Sequence, residues 1–350
     1  MKILFIIASL GSGGAERVLS NLANIISKKH DVTIATFSNS IPFYALDEKV
    51  KHIKLDLLKP SQSAFQSFKN SVNRLTVLMR IMRDIHADVN ISFMTQTNIL
   101  AILASKFIRR KIIVAERAVY DFYPSRAIHV LRRATYPFAD FLVTQTVEDS
   151  QRYHFIKKTE VVYNPIFIEK IERTKEKIVL AVGRLDKNKG FDLLIETFAQ
   201  LESKGWKLII AGDGEERESL IELIENLNLN NVELIGKRKD IFQWYAKASV
   251  FVLPSKKEGF PNVLIEAMAS GCAAVSFDCP SGPAEIIMHE KNGLLVEDQN
   301  REVLASVLQR VMNDKALRER LAYYAMEVRQ KYALEKIALQ WEEIIERVVR

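Results

Sequence analysis

The feature that most constrains this chain is the alternation of short, nearly unbroken apolar runs with longer segments of helical period. Strands buried on both faces have this character, and their alternation with helices is typical of parallel sheets built from β-α-β units. The sequence therefore predicts an α/β fold with two doubly wound, Rossmann-like halves. The predicted strands are Lys2–Leu10, Asp31–Phe37, His52–Leu58, Val89–Met94, Lys111–Glu116, Phe141–Thr146, Lys177–Arg184, Lys207–Gly212, Asn231–Gly236, Val250–Pro254, Ala273–Phe277 and Gly293–Val296.

The segment 164–177, NPIFIEKIERTKEK, has the character of a linker between the halves. It contains a proline and then a charged stretch, and a new strand begins at Lys177. A chain of 350 residues has the length of two domains, which we place at 1–168 and 169–350, with the last C-terminal helix able to cross back to the first domain. Ligands of such sheets bind beyond the carboxyl ends of the strands, so the cleft between two domains is the expected site.

Several classes of protein are disfavoured by composition. The chain has no unbroken apolar run of about 18 residues, the length needed to span a membrane. The apolar run Ile3–Leu10 is short and is followed by glycines, which favours a buried strand over a signal peptide. Neither the spacing of Cys272 and Cys279 nor that of the six histidines matches a metal site. We therefore expect a cytoplasmic protein without a metal site.

The first candidate binding loop is LGSGGAER, residues 10–17, directly after the first predicted strand. Gly13 and Gly14 allow backbone N–H groups to approach an anion at the start of a helix. The loop is not a dinucleotide fingerprint, because Glu16 occupies the position of the third glycine, and it does not match the P-loop pattern. It predicts a general phosphate-approach loop, and the alternative is a simple tight turn.

A second loop lies in VGRLDKNKGFDLLIETF, residues 182–198. Arg184 ends a predicted strand, and Lys189 immediately precedes a predicted helix. An arginine binds phosphate oxygens in a bidentate manner and a lysine acts as a point charge, so the pair is suited to a diphosphate. The alternative is that both are solvated surface charges.

The third loop contains EGFPNVLIEA, residues 258–267. A helix is predicted to begin near Pro261 or Asn262, and its first N–H groups are available to a phosphate. Glu258 precedes this helix and Glu266 lies about one turn into it. The spacing predicts two acids on one side that flank an anion site, each able to bind the hydroxyl groups of a sugar or ribose. The alternative is an exposed loop acid and a solvated helix acid.

These motifs together resemble glycosyltransferase family 4, over essentially the whole chain. The resemblance is carried by GSGGAER, GRLDKNKG, AGDGEER, EGFPNVLIEAMASG, CPSGPAEII and NGLLV. It implies the GT-B fold, in which two Rossmann-like domains face a central cleft, and metal-independent sugar transfer with retention of anomeric configuration. It also implies that the nucleotide sugar is a substrate and that no cofactor is needed. Within the family, the chain looks most like bacterial enzymes that extend polyprenyl-diphosphate-linked oligosaccharides, N-acetylgalactosaminyltransferases among them.

The resemblance also implies roles for individual residues. Arg184 and Lys189 would hold the donor diphosphate, Glu266 the ribose and Glu258 the transferred sugar. The main chain around Gly259, Phe260, Pro261, Asn262 and Val263 would contact the sugar and β-phosphate, Lys237 would lie beside the base, and Gly13 and Gly14 would permit close approach. Many relatives carry a histidine where this chain has Glu116-Arg117, within VAERAVYDF, and these two residues are the remaining catalytic candidates.

The charge is divided unevenly between the halves. Residues 1–170 carry 24 Lys+Arg against 14 Asp+Glu, and residues 171–350 carry 26 against 29. Basic and apolar residues are interleaved at 65–86, 105–111 and 125–138, which predicts peripheral binding of the first domain to an anionic membrane that holds a lipid-linked acceptor. The alternatives are ordinary helices with solvated cations and a nucleic-acid surface, but the chain has no recognisable nucleic-acid module.

Two other functions fit the same fold. One is a sugar-nucleotide epimerase, which would need no acceptor. The other is a catalytically inactive protein that binds a sugar nucleotide. The expected donor is UDP-GalNAc, UDP-GlcNAc, UDP-galactose or UDP-glucose by resemblance alone, and the sequence fixes neither the sugar nor the linkage.

Overall fold

The computed structural model describes residues 1–60, 62–166, 172 and 174–350, and it divides into two compact units. The first unit comprises Met1–Pro165 and Leu334–Arg350, and the second comprises Ile166–Ala333. The predicted boundary between residues 168 and 169 lies outside the described residues. The C-terminal helix belongs to the first unit. No helix in the described ranges is both long and apolar enough to cross a membrane.

The first unit contains a parallel sheet with the strand order β3-β2-β1-β4-β5-β6-β7. Its strands are β1 Lys2–Ile7, β2 Asp31–Thr36, β3 Lys51–Lys54, β4 Val89–Phe93, β5 Ile112–Ala115, β6 Phe141–Thr144 and β7 Thr159–Val161. Its helices are α1 Gly14–Ile26, α2 Ala64–Ile85, α3 Thr95–Ile108, α4 Arg126–Thr135, α5 Val147–Arg152 and the C-terminal α14 Leu334–Val349, with a 3₁₀ turn at Tyr136–Phe138. The strand β7 was not predicted, because it is three residues long and only half-buried.

Both faces of this sheet are covered, as its apolar runs predicted. Successive residues of β1 alternate between two hydrophobic clusters: Ile3, Phe5 and Ile7 lie in one, and Leu4 and Ile6 lie in the other. The first cluster is completed by the apolar face of α14, which contributes Ile337, Ala338, Trp341, Ile344, Ile345 and Val348. The last helix of the chain is therefore part of the core of the first unit.

The second unit contains a parallel sheet with the order β10-β9-β8-β11-β12-β13. Its strands are β8 Glu176–Val182, β9 Lys207–Ala211, β10 Val232–Gly236, β11 Ala248–Leu253, β12 Ala273–Phe277 and β13 Leu294–Val296. Its helices are α6 Phe191–Phe198, α7 Arg217–Asn226, α8 Ile241–Lys247, α9 Asn262–Ala269, α10 Pro283–Ile286, α11 Arg301–Asn313, α12 Lys315–Ala325 and α13 Val328–Lys331. Each of the twelve predicted strands overlaps an observed one, which confirms the predicted fold of two Rossmann-like units.

The connectivity determines where the candidate residues lie. In the first unit, Glu116 and Arg117 directly follow the carboxyl end of β5. In the second unit, Arg184, Lys237 and Glu258 all lie in loops that follow the carboxyl ends of β8, β10 and β11. These strands are parallel, so their carboxyl ends share one edge of the sheet, which is where ligands of doubly wound folds bind.

Candidate active site

The centre of the site in the second unit is an ion pair between Lys189 and Glu258. Lys189 Nζ lies 2.6 Å from Glu258 Oε1, and the two side chains are 20% and 9% exposed. The predicted phosphate-binding lysine and the predicted sugar-binding acid are therefore adjacent, although 69 residues separate them in the sequence. The pair is mostly shielded from water, which makes its interaction stronger than that of a surface pair.

Backbone contacts fix the two loops that carry this pair. The backbone N–H of Lys256 donates to the carbonyl of Asn188 at 2.8 Å, and the Asn188 side chain donates back to the carbonyl of Lys257 at 2.8 Å. Gly190 has a φ of +64°, and a Cβ there would lie 2.2 Å from the carbonyl oxygen of Pro254. The short sequence NKG thus joins the start of α6 to the loop after β11.

Arg184, the second predicted phosphate ligand, is held differently. Its side chain is 75% exposed, and its Nε lies 2.6 Å from Asp186 Oδ2. It lines an open surface pocket of about 480 Å³ together with Asp186, Lys187, Asn188 and Glu215. An exposed arginine beside such a pocket can reorient toward an anionic ligand.

The glycines of AGDGEER allow the loop after β9 to pack backbone to backbone against the Arg184 loop. A Cβ on Gly212 would lie 1.7 Å from the Gly183 carbonyl oxygen, and one on Gly214 would lie 2.4 Å from that of Leu185. The Gly212 N–H also donates to the carbonyl of Gly236 at 2.9 Å, immediately before Lys237. These contacts bring Lys237, which is exposed, to the same group of loops as Arg184.

The CPSGP segment, residues 279–283, packs against the residues that precede α9. Gly282 has a φ of +96°, and a Cβ there would lie 2.6 Å from the Gly259 carbonyl oxygen and 2.7 Å from Pro261 Cδ. The helix begins at Asn262, as predicted, and in this fully described helix the first turn has no acidic side chain and no side-chain cap at Pro261. Phe260 is buried and its ring packs edge-on against Tyr332 at 5.6 Å, so its side chain is not available to a ligand.

Glu266 is a buried carboxylate rather than a solvated helix acid. It is 4% exposed, and its Oε2 accepts a hydrogen bond of 3.1 Å from the hydroxyl of Tyr245 in α8. A buried carboxylate of this kind retains further lone pairs that can accept hydrogen bonds from hydroxyl groups.

In the first unit, Glu116 is buried within a set of hydrogen-bond donors. Thr95 Oγ1 donates to Glu116 Oε2 at 2.9 Å, Asn98 Nδ2 donates to Oε1 at 3.4 Å, and the Tyr136 hydroxyl donates to the same Oε1. Burial raises the pKa of Glu116 to about 6, against the opposing effect of these donors and of Arg132. A carboxyl group with such a pKa can exchange a proton near neutral pH.

Arg117 points into the interior of the first unit. Its Nη1 donates to the carbonyl of Val162 at 3.0 Å and to Asn164 Oδ1 at 3.2 Å, and its guanidinium lies 5.5 Å from the ring centroids of Phe93 and Trp341. Within the described part of the chain, its Nε and Nη2 find no acceptor. Burial lowers the pKa of Arg117 to about 9, while nearby Glu116 opposes the shift, so Arg117 stays charged at neutral pH.

The glycine loop of the first unit is less constrained than those of the second. Gly13 caps α1 with an ordinary φ of −76°, and Gly14 is the first residue of that helix. The nearest obstacle to a Cβ on Gly13 is the carboxylate end of the Glu16 side chain. The fold of this unit alone therefore does not require glycine at position 13.

Some residues that shape the site were missed by the sequence analysis. Tyr245 and Tyr136 donate hydrogen bonds to the predicted site residues Glu266 and Glu116, although both tyrosines lie outside the quoted motifs. Among the described residues, no group of three or more His, Cys, Asp or Glu side chains is arranged to hold a metal ion.

Known proteins resemble this chain in sequence and in fold. The profile described as "Glycosyl transferases group 1" matches residues 164–328. A GalNAc-α-(1→4)-GalNAc-α-(1→3)-diNAcBac-PP-undecaprenol α-1,4-N-acetyl-D-galactosaminyltransferase of Campylobacter jejuni is 32% identical over 99% of both chains. This chain belongs to the group 1 glycosyltransferase family.

A second relative and a solved structure are also similar to this chain over nearly its whole length. The N-acetylgalactosamine-N,N′-diacetylbacillosaminyl-diphospho-undecaprenol 4-α-N-acetylgalactosaminyltransferase of the same organism is 32% identical to this glycosyltransferase, over 91% of the chain and 92% of the relative. The crystal structure of Anabaena HepE in complex with UDP has a TM-score of 0.82 at 21% identity, and covers 99% of this chain and 100% of HepE. The structural match confirms the predicted GT-B fold.

Proposed function

We propose that this glycosyltransferase moves N-acetylgalactosamine, or a related hexose or N-acetylhexosamine, from a UDP-sugar to a lipid-diphosphate-linked oligosaccharide in surface glycan assembly. The observation that carries the proposal is the full-length similarity to two Campylobacter enzymes whose names describe this type of transfer. The UDP bound to the structurally similar HepE supports a uridine nucleotide. The curated relatives named above are transferases, so the comparisons give no support to the epimerase alternative.

The second unit supplies groups suited to donor activation. Cleavage of the bond between the anomeric carbon and the diphosphate places negative charge on the leaving group. Lys189, Arg184 and the N-terminus of α9 are the groups that would stabilise this charge. Glu258 would accept hydrogen bonds from the transferred sugar and Glu266 from the ribose. Gly259 to Val263 would supply main-chain contacts to the sugar and β-phosphate, with Lys237 beside the base.

Transfer with retention and without a metal is also part of the proposal. The two cations at the predicted diphosphate site support it, since protein cations can neutralise charge that Mg²⁺ neutralises in other transferases. Retention is tested by the anomeric proton coupling constant of the product in an NMR spectrum. Undiminished turnover in the presence of EDTA would support metal independence, and an activity restored only by Mg²⁺ or Mn²⁺ would contradict it. The nucleotide sugar is then a substrate, and no cofactor takes part.

The first unit offers a surface suited to a membrane that carries the acceptor. Its apolar residues are exposed on α2, on α3 and around α4: Phe65 78%, Phe68 68%, Phe107 68%, Val130 67% and Phe138 54%. Exposed cations lie among them on the same elements, namely Lys69, Arg80, Arg83, Lys106, Arg109, Arg126 and Arg133. Arg132, in contrast, is buried and donates to the carbonyl of Tyr120. Counted over the observed units, the first has 26 Lys+Arg against 17 Asp+Glu and the second 24 against 26.

Interleaved exposed cations and aromatic rings are typical of proteins that bind anionic interfaces. Flotation with vesicles of phosphatidylcholine, with or without phosphatidylglycerol, tests this part of the proposal. We expect binding only to the anionic vesicles, and weaker binding for the double variant Phe65→Ser/Phe68→Ser. Leu339→Ser is the matched control, because Leu339 is exposed on α14. Absence of binding at low salt would contradict the membrane contact.

The experiment that tests the whole proposal is release of nucleoside diphosphate from a panel of UDP- and GDP-sugars. The panel includes UDP-GalNAc, UDP-GlcNAc, UDP-galactose and UDP-glucose, each with and without a bacterial extract containing lipid-linked oligosaccharides. We expect release from one UDP-sugar, strongly enhanced by the extract. Conversion of a UDP-sugar without any acceptor would favour an epimerase, and binding without any product would favour an inactive binding protein.

A further inference from the structure

The proposed function assigns the two residues of the Lys189–Glu258 ion pair to different parts of the donor. In that assignment, Lys189 would contact the diphosphate and Glu258 the transferred sugar. In the structure each neutralises the other at 2.6 Å, with little exposure to water. A donor that draws the two groups apart must therefore provide new partners for both.

An intact nucleotide sugar satisfies this requirement, because its phosphates replace Glu258 as the partner of Lys189 and its hydroxyl groups donate to Glu258. A free nucleoside diphosphate satisfies only half of it. Its phosphates compete with Glu258 for the ammonium group of Lys189, and the carboxylate, left without sugar hydroxyls, repels the phosphates. Leaving one member of a shielded ion pair without a partner is unfavourable.

We propose that the Lys189–Glu258 ion pair makes the site select the intact nucleotide sugar over the nucleoside diphosphate product. The inference rests on the proposed function. It assigns Glu258 a second role besides binding the sugar: it weakens retention of the product after transfer, and so assists product release.

UDP and the accepted UDP-sugar give a sharp test, because they share the uridine diphosphate and only the second brings sugar hydroxyl groups to Glu258. Binding of UDP and of the accepted UDP-sugar is measured by titration calorimetry, without acceptor, for the wild type and for Glu258→Gln. We expect the substitution to tighten UDP binding about three- to tenfold and to weaken binding of the UDP-sugar. Opposite effects on the two ligands would not arise from a general loss of structure, which thermal unfolding of the variant also checks.

Two further variants identify the cause. Glu225→Gln removes one negative charge from an exposed residue in the last turn of α7, away from the candidate site, and we expect it to change UDP affinity less than twofold. In the background of Lys189→Met no ion pair is broken when UDP binds, so Glu258→Gln should tighten UDP binding less than it does in the wild-type background, by relief of the repulsion alone. Equal tightening in both backgrounds would overturn the role of the ion pair.

The outcomes separate the inference from the function. Equal or weaker UDP binding by a folded Glu258→Gln protein would overturn the inference, even if the wild type transfers sugar normally. Equal tightening by Glu225→Gln would also overturn it, because the loss of any negative charge from the second unit would then account for the effect. A wild-type protein that transfers no sugar from any donor would instead overturn the proposed function.

Discussion

The hydroxyl of Tyr136 donates a hydrogen bond to the carboxylate of Glu116, 20 residues earlier in the chain. Thr95 donates to the other carboxylate oxygen, so both oxygens of this buried group have partners in the first unit. Despite these donors, burial raises the pKa of Glu116 from 4.5 to about 6. The carboxylate therefore costs the folded protein free energy whenever it is ionised.

The first prediction concerns the pH dependence of stability. Folding raises the pKa of Glu116, so its unfavourable contribution is absent below about pH 4.5 and develops as the pH rises through 6. A shift of this size corresponds to about 2 kcal/mol in the free energy of unfolding at pH 7. We expect the stability of the wild type relative to Glu116→Gln to fall by this order between pH 4.5 and pH 7.

Urea unfolding of both proteins at several pH values measures this difference. Comparison with the variant removes the contributions of other titrating groups, which are common to both. A pH-independent difference between the two proteins would show that Glu116 does not have a raised pKa. The reverse slope would indicate that its donors outweigh the effect of burial.

The helices and strands that could be predicted from the sequence are those that depend on neighbouring residues in the chain. The β1 run is apolar because residues 3, 5 and 7 face one core and residues 4 and 6 face the other. The helix at Asn262 follows Pro261, and proline is favoured at the start of a helix and disfavoured in its interior. In both places, the period and the breaker residue are visible in the sequence itself.

Contacts between distant segments were not predictable in the same way. Nothing near Glu266 in the sequence indicates that Tyr245 donates to it, because the contact depends on how α8 and α9 pack. Likewise, Arg132 lies in a basic stretch that predicted a surface, yet it is buried with its guanidinium 3.6 Å from the centroid of the Tyr120 ring. Apolar periodicity identifies which elements exist, but the partner of a single polar side chain depends on the tertiary structure.

The second prediction is that Lys189→Ala abolishes most turnover. Loss of one charge-assisted contact to the leaving diphosphate typically costs about 2.7–4 kcal/mol in the transition state, or roughly a hundred- to thousandfold in rate. We expect kcat/KM for the nucleotide sugar to fall by this factor. Lys204→Ala is the control, because Lys204 is an exposed lysine of the same unit in the turn that precedes β9. Wild-type kcat/KM in Lys189→Ala would refute the assignment of Lys189 to the diphosphate.

The third prediction concerns the bond between Tyr245 and Glu266. Tyr245→Phe removes the hydroxyl that orients the buried carboxylate, and the cavity it leaves is small. We expect KM for the nucleotide sugar to rise about tenfold or more, in line with the loss of one hydrogen bond to a charged group, while kcat changes little.

A 2′-deoxy analogue of the donor identifies the part of the ligand involved. If Glu266 binds the ribose hydroxyls, the penalty of Tyr245→Phe should be smaller with the analogue than with the natural donor. Tyr323→Phe is the matched control, since Tyr323 is 68% exposed. An equal penalty with both donors would mean that Glu266 does not contact the ribose.

The fourth prediction contrasts two glycines. Gly13 has an ordinary φ, and a Cβ there meets only the flexible end of the Glu16 side chain. Gly13→Ala should therefore leave the melting temperature unchanged within about 1 °C. If the glycine serves close approach to the donor, the same substitution should lower kcat/KM about tenfold or more, because it displaces the donor from the reacting geometry.

Gly190→Ala should behave in the opposite way. Its φ of +64° and the backbone oxygen of Pro254 at 2.2 Å from a Cβ make alanine strained in the fold itself. We expect a cost of about 1–3 kcal/mol in the free energy of unfolding, and a loss of activity that follows from displacement of the adjacent Lys189. Thermal unfolding and donor kinetics on both variants distinguish the two roles. A stable, fully active Gly13→Ala would show that position 13 is a tight turn, the alternative that the sequence left open.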